Sequence, residues 1–206
     1  KRISKILNVK SCLIVRESTE FYTDLKKAAD RINYFDHVVF VSSNVMKKWF
    51  FILPGLKKKS TYIPNTIQES SISSIVSRDK NYFKKKLHFS DKEFNIVIVG
   101  KLMDRKNQHL IVSNLDRFIK LNKKVKFHFI GKNTNSYGQK MKRLVSQSGN
   151  KKMVSFHGFK NNILEYIYAA DCLLLTAIAE VSPRVIYESM ALRTPVIARI
   201  LMEFQN

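Results

Sequence analysis

Two segments of the 206-residue sequence hold residue types at spacings that could do chemistry. The first is Glu180-Val-Ser-Pro-Arg-Val-Ile-Tyr-Glu188. Pro183 suits the first turn of a helix, where its missing N–H costs nothing. Glu180 then falls in the preceding loop, and Glu188 about one and a half turns into the helix. Two carboxylates placed this way could reach one polyhydroxylated ligand from adjacent heights, because carboxylate oxygens only accept and so suit sugar or ribose hydroxyls. The free N–H groups near residues 181–185, Ser182 and Arg184 among them, could meet an anion. By spacing alone, the pair also fits a surface glutamate before a proline cap and another on a solvated helix face.

The second segment is Gly100-Lys-Leu-Met-Asp-Arg-Lys-Asn107. Gly100 permits a tight turn or close ligand approach. Lys101, Arg105 and Lys106 are candidate phosphate contacts, and Asp104 is a candidate helix cap. The segment is not GxGxxG, and no GxxxxGK[ST] sequence occurs, so dinucleotide and P-loop readings lose support. The five histidines form no HExxH or ligand-spaced pair, and His128 and His157 read as structural. No metal site is expected. Neither Cys12 nor Cys172 has a catalytic context, and no GxSxG elbow is present.

Short apolar runs and helical patterns must position these segments. Cys12–Val15, residues 38–41 and residues 60–63 read as strands, with helices from about Phe21 and from Val45 to Phe50. Residues 66–92 read as a Ser-rich, then basic, connector with a helix near Ile75–Lys85. From Phe94 onward the pattern is regular. Strands at 94–99, 125–130, 153–156, 172–175 and 195–198 alternate with helices at about 107–121, 137–148, 163–169 and 183–192. This alternation predicts an α/β fold with a Rossmann-like, doubly wound parallel sheet, ligand-facing loops following the strands. The piece before residue 65 reads as the tail of a second α/β domain. The expected division is therefore 1–65 and 66–206, the latter incomplete at its C-terminus.

Composition narrows the classes further. The chain has 37 Lys+Arg against 16 Asp+Glu, a formal net charge of +21, with 45% hydrophobic residues. It is too apolar for a disordered polycation. Residues 151–206 hold six basic against five acidic side chains, so the first 150 carry +20 of the charge. Phosphate-bearing partners or an anionic membrane surface would suit that portion. Lysine outnumbers arginine 27 to 10, so compositional bias explains the charge equally well. No recognisable nucleic-acid module accompanies it, and nucleic acid is not the expected partner. With no long apolar run, signal peptide or cysteine framework, the sequence reads as cytosolic.

Taken together, the segments resemble the carboxyl half of GT-B glycosyltransferases, in the large retaining family known as GT4. Tyr62-Ile-Pro-Asn65 resembles its "v-I-P-N". Gly100 to Asn107 resembles "G-R-L-x-x-x-K-G", and Val154-Ser-Phe-His-Gly158 resembles "V-x-F-x-G". Glu180 to Ala198 resembles "E-G-x-P-x-x-x-x-E-A-M-A-x-G-x-P-V-I-A". The resemblance implies a donor-binding domain preceded by the tail of an acceptor-side domain. It implies transfer of a sugar from a nucleotide-diphosphate sugar to a glycan or lipid-linked acceptor, with retention of configuration. Surface polysaccharide or glycoconjugate synthesis, at the cytoplasmic membrane face, would be the setting. No cofactor is implied, since the nucleotide sugar is a substrate.

The resemblance further implies that Glu180 contacts donor-sugar hydroxyls and Glu188 the ribose. Lys101, where the family usually has Arg, and Lys106 would stabilise the leaving diphosphate, and the loop from Phe159 would lie near the base. Val181, Asn107 and Arg193 stand where the family has glycine. Val181 could crowd the approach of backbone to sugar, whereas the other two would alter loop shape. The rival readings are a truncated, non-catalytic relative serving as a partner subunit and, below it, a basic nucleic-acid-binding protein.

Overall fold

The computed structural model describes residues 8–121 and 124–199. Residues 200–206, on which the expected C-terminal incompleteness turns, lie outside the described residues. The chain divides into two compact units, residues 1–66 with 181–183 and residues 67–180 with 184–206.

The first unit is a three-stranded parallel sheet, β1 (Cys12–Val15), β2 (His37–Phe40) and β3 (Ser60–Tyr62), in that order. Asp24 starts α1 (Leu25–Asn33) by accepting a hydrogen bond from the Lys27 N–H, and Ala28, Ala29 and Ile32 form its buried stripe. Ser42 caps α2 (Ser43–Ile52) in the same way, and Val45 and Trp49 face inward one turn apart. Pro54 and Gly55 then divert the chain into a 3₁₀ turn.

The second unit opens with α3 (Glu69–Val76) and α4 (Lys80–Lys86). The sequence pattern suggests one helix near Ile75–Lys85. It is interrupted at residues 77–79, where the Asp79 carboxylate accepts from the Asn81 N–H and starts a new helix. β4 (Phe94–Val99) follows, then α5 (His109–Val112) and α6 (Leu115–Lys120) in place of the expected continuous helix. At their junction Ser113 Oγ donates to the His109 carbonyl and Asn114 Nδ2 to the Leu110 carbonyl. The remaining elements are β5 (Val125–Ile130), α7 (Ser136–Gln147), β6 (Val154–Gly158), α8 (Ile163–Ala169), β7 (Cys172–Leu175), α9 (Arg184–Ala191) and β8 (Val196–Ala198).

The five strands lie parallel in the order β6-β5-β4-β7-β8. Ile96, Ile98, Phe127 and Phe129 pack on one side with Ile111, Leu115, Met141 and Val145. Val97, Ile130 and Leu173 pack on the other with Ile72, Phe83, Ile167 and Leu192. Burial on both faces explains why these strands read as continuous apolar runs. The strand order reverses at β4 and β7, so the loops leaving their carboxyl ends are neighbours, the usual place for a ligand in such a sheet.

One polar chain crosses the second of these faces. Asn95 on β4 donates through Nδ2 to the Ser90 and Glu93 carbonyls, and its backbone N–H donates to Asp171 at 2.8 Å. Its Oδ1 must therefore accept, so His128 Nε2 on β5 donates to it at 3.1 Å. His128 Nδ1 is then an acceptor for His157 Nε2 at 3.0 Å. His157 occupies a one-residue irregularity between β5 and β6, where Phe129 pairs with Phe156 but Ile130 with Gly158. Burial, with His157 and Lys126 nearby, lowers the His128 pKa to about 3, so the ring stays neutral.

Two residues past the end of α9, Arg193 adopts φ 56°. The Thr194 N–H donates to the Ser189 carbonyl and the Arg193 N–H to that of Met190, the Schellman pattern that favours glycine in the left-handed position. Arg193→Gly is expected to stabilise the second unit by about 0.5–1 kcal/mol, the relief of left-handed backbone outweighing the extra entropy of glycine in the unfolded chain. Urea denaturation followed by circular dichroism reads this as a higher midpoint at unchanged slope.

Candidate active site

At the end of β4, Gly100 donates its N–H to the Ile130 carbonyl and adopts φ 142°. The chain then turns inward. Leu102 is fully buried, with its N–H donating to the Lys132 carbonyl at 2.9 Å and its own carbonyl accepting from Asn135 Nδ2 at 2.8 Å. Residues Asp104–Lys106 form a 3₁₀ turn closed by Asn107 at φ 54°. Asparagine tolerates that left-handed conformation better than most residues, so this position keeps a turn that would otherwise call for glycine. Asp104 does not act as the expected cap of the following helix; Gln108 holds the N-cap position of α5 and no side chain bonds there. Instead, buried Gln108 braces the loop, donating to the Lys101 carbonyl at 3.0 Å and accepting from the Met103 N–H at 3.4 Å.

The loop after β7 is stitched to this turn. Thr176 Oγ1 donates to the Lys106 carbonyl at 2.8 Å, and the Ile178 N–H donates to the Arg105 carbonyl at 2.9 Å. Arg105 Nη1 donates to the Ala179 carbonyl at 3.3 Å. These links bring the Lys106 ammonium into an ion pair with Glu180, their side chains 19% and 10% exposed. A cation and a carboxylate 74 residues apart in sequence thus meet at the carboxyl edge of the sheet, next to the strand-order reversal. The stem of Lys106 runs over Gly100, where an added Cβ would lie 3.5 Å from Lys106 Cε.

The other sequence-predicted residues are placed as follows. Lys101 is exposed beside the turn. Arg184 opens α9, and Glu188 lies half-buried one turn further on. Burial raises the Glu188 carboxyl above its ordinary pKa, and the Arg184 guanidinium opposes that shift. Phe159 is 63% exposed and follows Gly158, which ends β6 at φ 70°. Ser182 belongs to the stretch 181–183 that groups with the first unit, where its carbonyl accepts from Asn65 Nδ2 at 2.9 Å. Val181 packs with that unit's core and keeps a negative φ. Thr176 and Gln108 have no chemical signature in the sequence; the only hint is a polar residue placed directly after an apolar strand or loop.

Among the described residues, no group of three or more His, Cys, Asp or Glu side chains is placed to hold a metal ion, and no helix is long and apolar enough to cross a membrane. A family model described as glycosyl transferases group 1 matches residues 79–202. CapH of Staphylococcus aureus, a capsular polysaccharide biosynthesis glycosyltransferase, is 22% identical over 180 residues, covering 84% of this chain and 47% of its own. Anabaena Alr3699/HepE, solved with UDP and glucose, superposes with a TM-score of 0.75 at 22% identity over 95% of this chain and 54% of its own. WaaG, a glycosyltransferase involved in lipopolysaccharide biosynthesis, gives a TM-score of 0.76 at 15% identity over 93% of this chain and 56% of its own. The chain spans about half the length of these relatives, and the superpositions establish the GT-B type of fold.

Proposed function

Because the chain belongs to the glycosyl transferases group 1 family, we propose that residues 66–206 bind a nucleotide-diphosphate sugar and supply the groups that act on it. Residues 1–65 are, in this reading, part of the acceptor-side domain. The observation that carries it is the Lys106–Glu180 pair, held where the loops after β4 and β7 adjoin. When a sugar leaves a diphosphate, the C1–O bond breaks with its electron pair on the phosphate oxygen, and negative charge grows there. A fixed ammonium at Lys106, with Lys101 beside it, stabilises that charge more in the transition state than in the ground state. Glu180 accepts from donor-sugar hydroxyls. Glu188 accepts from the ribose hydroxyls, and Arg184, Gly100 and Phe159 line the nucleotide.

The motifs and the relatives support the finer parts of this reading. The sugar is a hexose, transferred with retention to a glycan or lipid-linked acceptor. CapH is a capsular polysaccharide biosynthesis glycosyltransferase and WaaG is involved in lipopolysaccharide biosynthesis, which favours a related class of product here. A peripheral contact with the inner face of the cell membrane fits a lipid-linked acceptor and the basic first 150 residues. Calorimetry against UDP-, GDP- and ADP-sugars tests the donor claim. One of the three is expected to bind, and Glu188→Ala should weaken it about tenfold, the loss of a charge-assisted hydrogen bond, while Leu121→Met leaves it unchanged. A folded sample that binds none of them rejects the reading.

A further inference from the structure

We propose that Thr176 is a positioning residue for Lys106. This inference rests on the donor-site reading and adds to it a residue that touches no substrate. Thr176 follows the last residue of β7 and is 5% exposed. Its hydroxyl faces the Lys106 carbonyl at 2.8 Å. A carbonyl only accepts, so the hydroxyl is the donor and its direction is fixed. The bond ties the base of one loop to the residue that carries the ammonium in the other.

Two further hydrogen bonds between these loops differ in kind. One is made by the Ile178 backbone and the other by the Arg105 guanidinium. Thr176 is therefore the place where the stitching can be cut without removing a charge or a backbone group. Lys106 sits in a 3₁₀ turn whose next residue, Asn107, adopts left-handed backbone. Such a turn gains its fixed shape from outside contacts rather than from a long helical ladder. With the Thr176 bond in place, the Lys106 backbone is anchored at its carbonyl and its ammonium reaches Glu180 over Gly100. Without it, the turn can shift by a fraction of an ångström, enough to degrade placement of a charge on a diphosphate.

Valine matches threonine in shape but lacks the donor, so Thr176→Val isolates the bond; Thr176→Ser keeps the donor and loses only a methyl group. Two measurements on the full chain read the outcome. In calorimetry, Thr176→Val should weaken the nucleotide-diphosphate sugar about three- to tenfold, leave the phosphate-free nucleoside unchanged, and be rescued by Thr176→Ser. In nitrogen-15 NMR of the lysine ammonium groups, the Lys106 signal, identified by its loss in Lys106→Arg, should be slowed in hydrogen exchange by its pairing. That protection should fall in Thr176→Val and return in Thr176→Ser.

Nucleotide-sugar affinity and ammonium protection that are the same in Thr176→Val and the parent overturn the proposal. Equal weakening of nucleoside and nucleotide sugar, without rescue by serine, assigns Thr176 a merely structural role and also overturns it. A parent chain that binds no nucleotide sugar, yet whose Lys106 protection follows the Thr176 hydroxyl, rejects the donor reading while the positioning role stands. Should the valine variant fail to fold, Thr176→Ala removes the same donor and is read in the same way.

Discussion

Lys106→Ala is expected to lower sugar transfer by roughly a hundredfold or more, with most of the loss in kcat rather than KM. Removing one preorganised group that stabilises developing charge typically has this effect, because its interaction strengthens as the C1–O bond breaks. The variant also leaves the Glu180 carboxylate, 10% exposed, without its cation. That should cost about 1.5–3 kcal/mol of stability, the usual range for a lost hydrogen bond to a charged group. The two consequences separate in a double substitution. Lys106→Met with Glu180→Gln removes both charges and should recover much of the stability but none of the transfer. Release of nucleoside diphosphate gives the first quantity and urea denaturation the second. Near-parental turnover in Lys106→Ala would exclude Lys106 from the reacting site.

Gly131→Ala should cost about 3 kcal/mol, within the range for forcing atoms into a packed position. A Cβ at residue 131 would lie 2.0 Å from the Gly100 carbonyl oxygen and 2.4 Å from its carbon. Both are backbone atoms, so no side chain can swing away. Gly131 follows β5 and Gly100 follows β4, and each is hydrogen-bonded across the sheet, Gly131 to the Gly158 carbonyl and Gly100 to that of Ile130. Relief must therefore come from moving the loop that carries Lys101 and Lys106, so donor affinity should fall together with stability. Gly149→Ala is the comparison. Gly149 adopts φ 70°, but nothing lies within 4 Å of the added atom, so only the left-handed backbone is strained, at about 1 kcal/mol. A Gly131→Ala effect no larger than that of Gly149→Ala would mean that the two loops yield freely.

Much of this architecture is legible in the sequence, for a physical reason. A parallel strand buried on both faces must be apolar throughout, so Phe94–Val99, Val125–Ile130 and Cys172–Leu175 stand out from the helical patterns between them. Where the pattern misleads, local polar side chains have won. Asp79 starts a new helix inside an expected one, and Ser113 and Asn114 turn their own side chains back onto carbonyls of the preceding turn. The site is legible residue by residue but not as an arrangement. Lys106 and Glu180 are visible singly, yet their pairing depends on β4 and β7 being neighbours, which strand order alone decides. Thr176 and Gln108 act through their hydrogen bonds to other residues' backbones, and no spacing rule announces such a role.

The polar chain from Asp171 through Asn95 and His128 to His157 bears on how the sheet finds its alignment. In a strand that is apolar on both sides, sliding by one residue exchanges one greasy face for another and costs little. Hydrophobicity therefore says almost nothing about which residue of β4 should lie beside which residue of β5. Asn95 opposite Lys126, with His128 one step beyond Phe127, is a different matter. A slip of one position would turn Asn95 to the opposite face and leave its Oδ1 and the His128 Nε2–H without each other, at about 1–3 kcal/mol for every stranded polar group. Four side chains on or beside β7, β4, β5 and β6 thus work as a combination lock: the sheet can close in many alignments, but only one of them lets every tumbler drop.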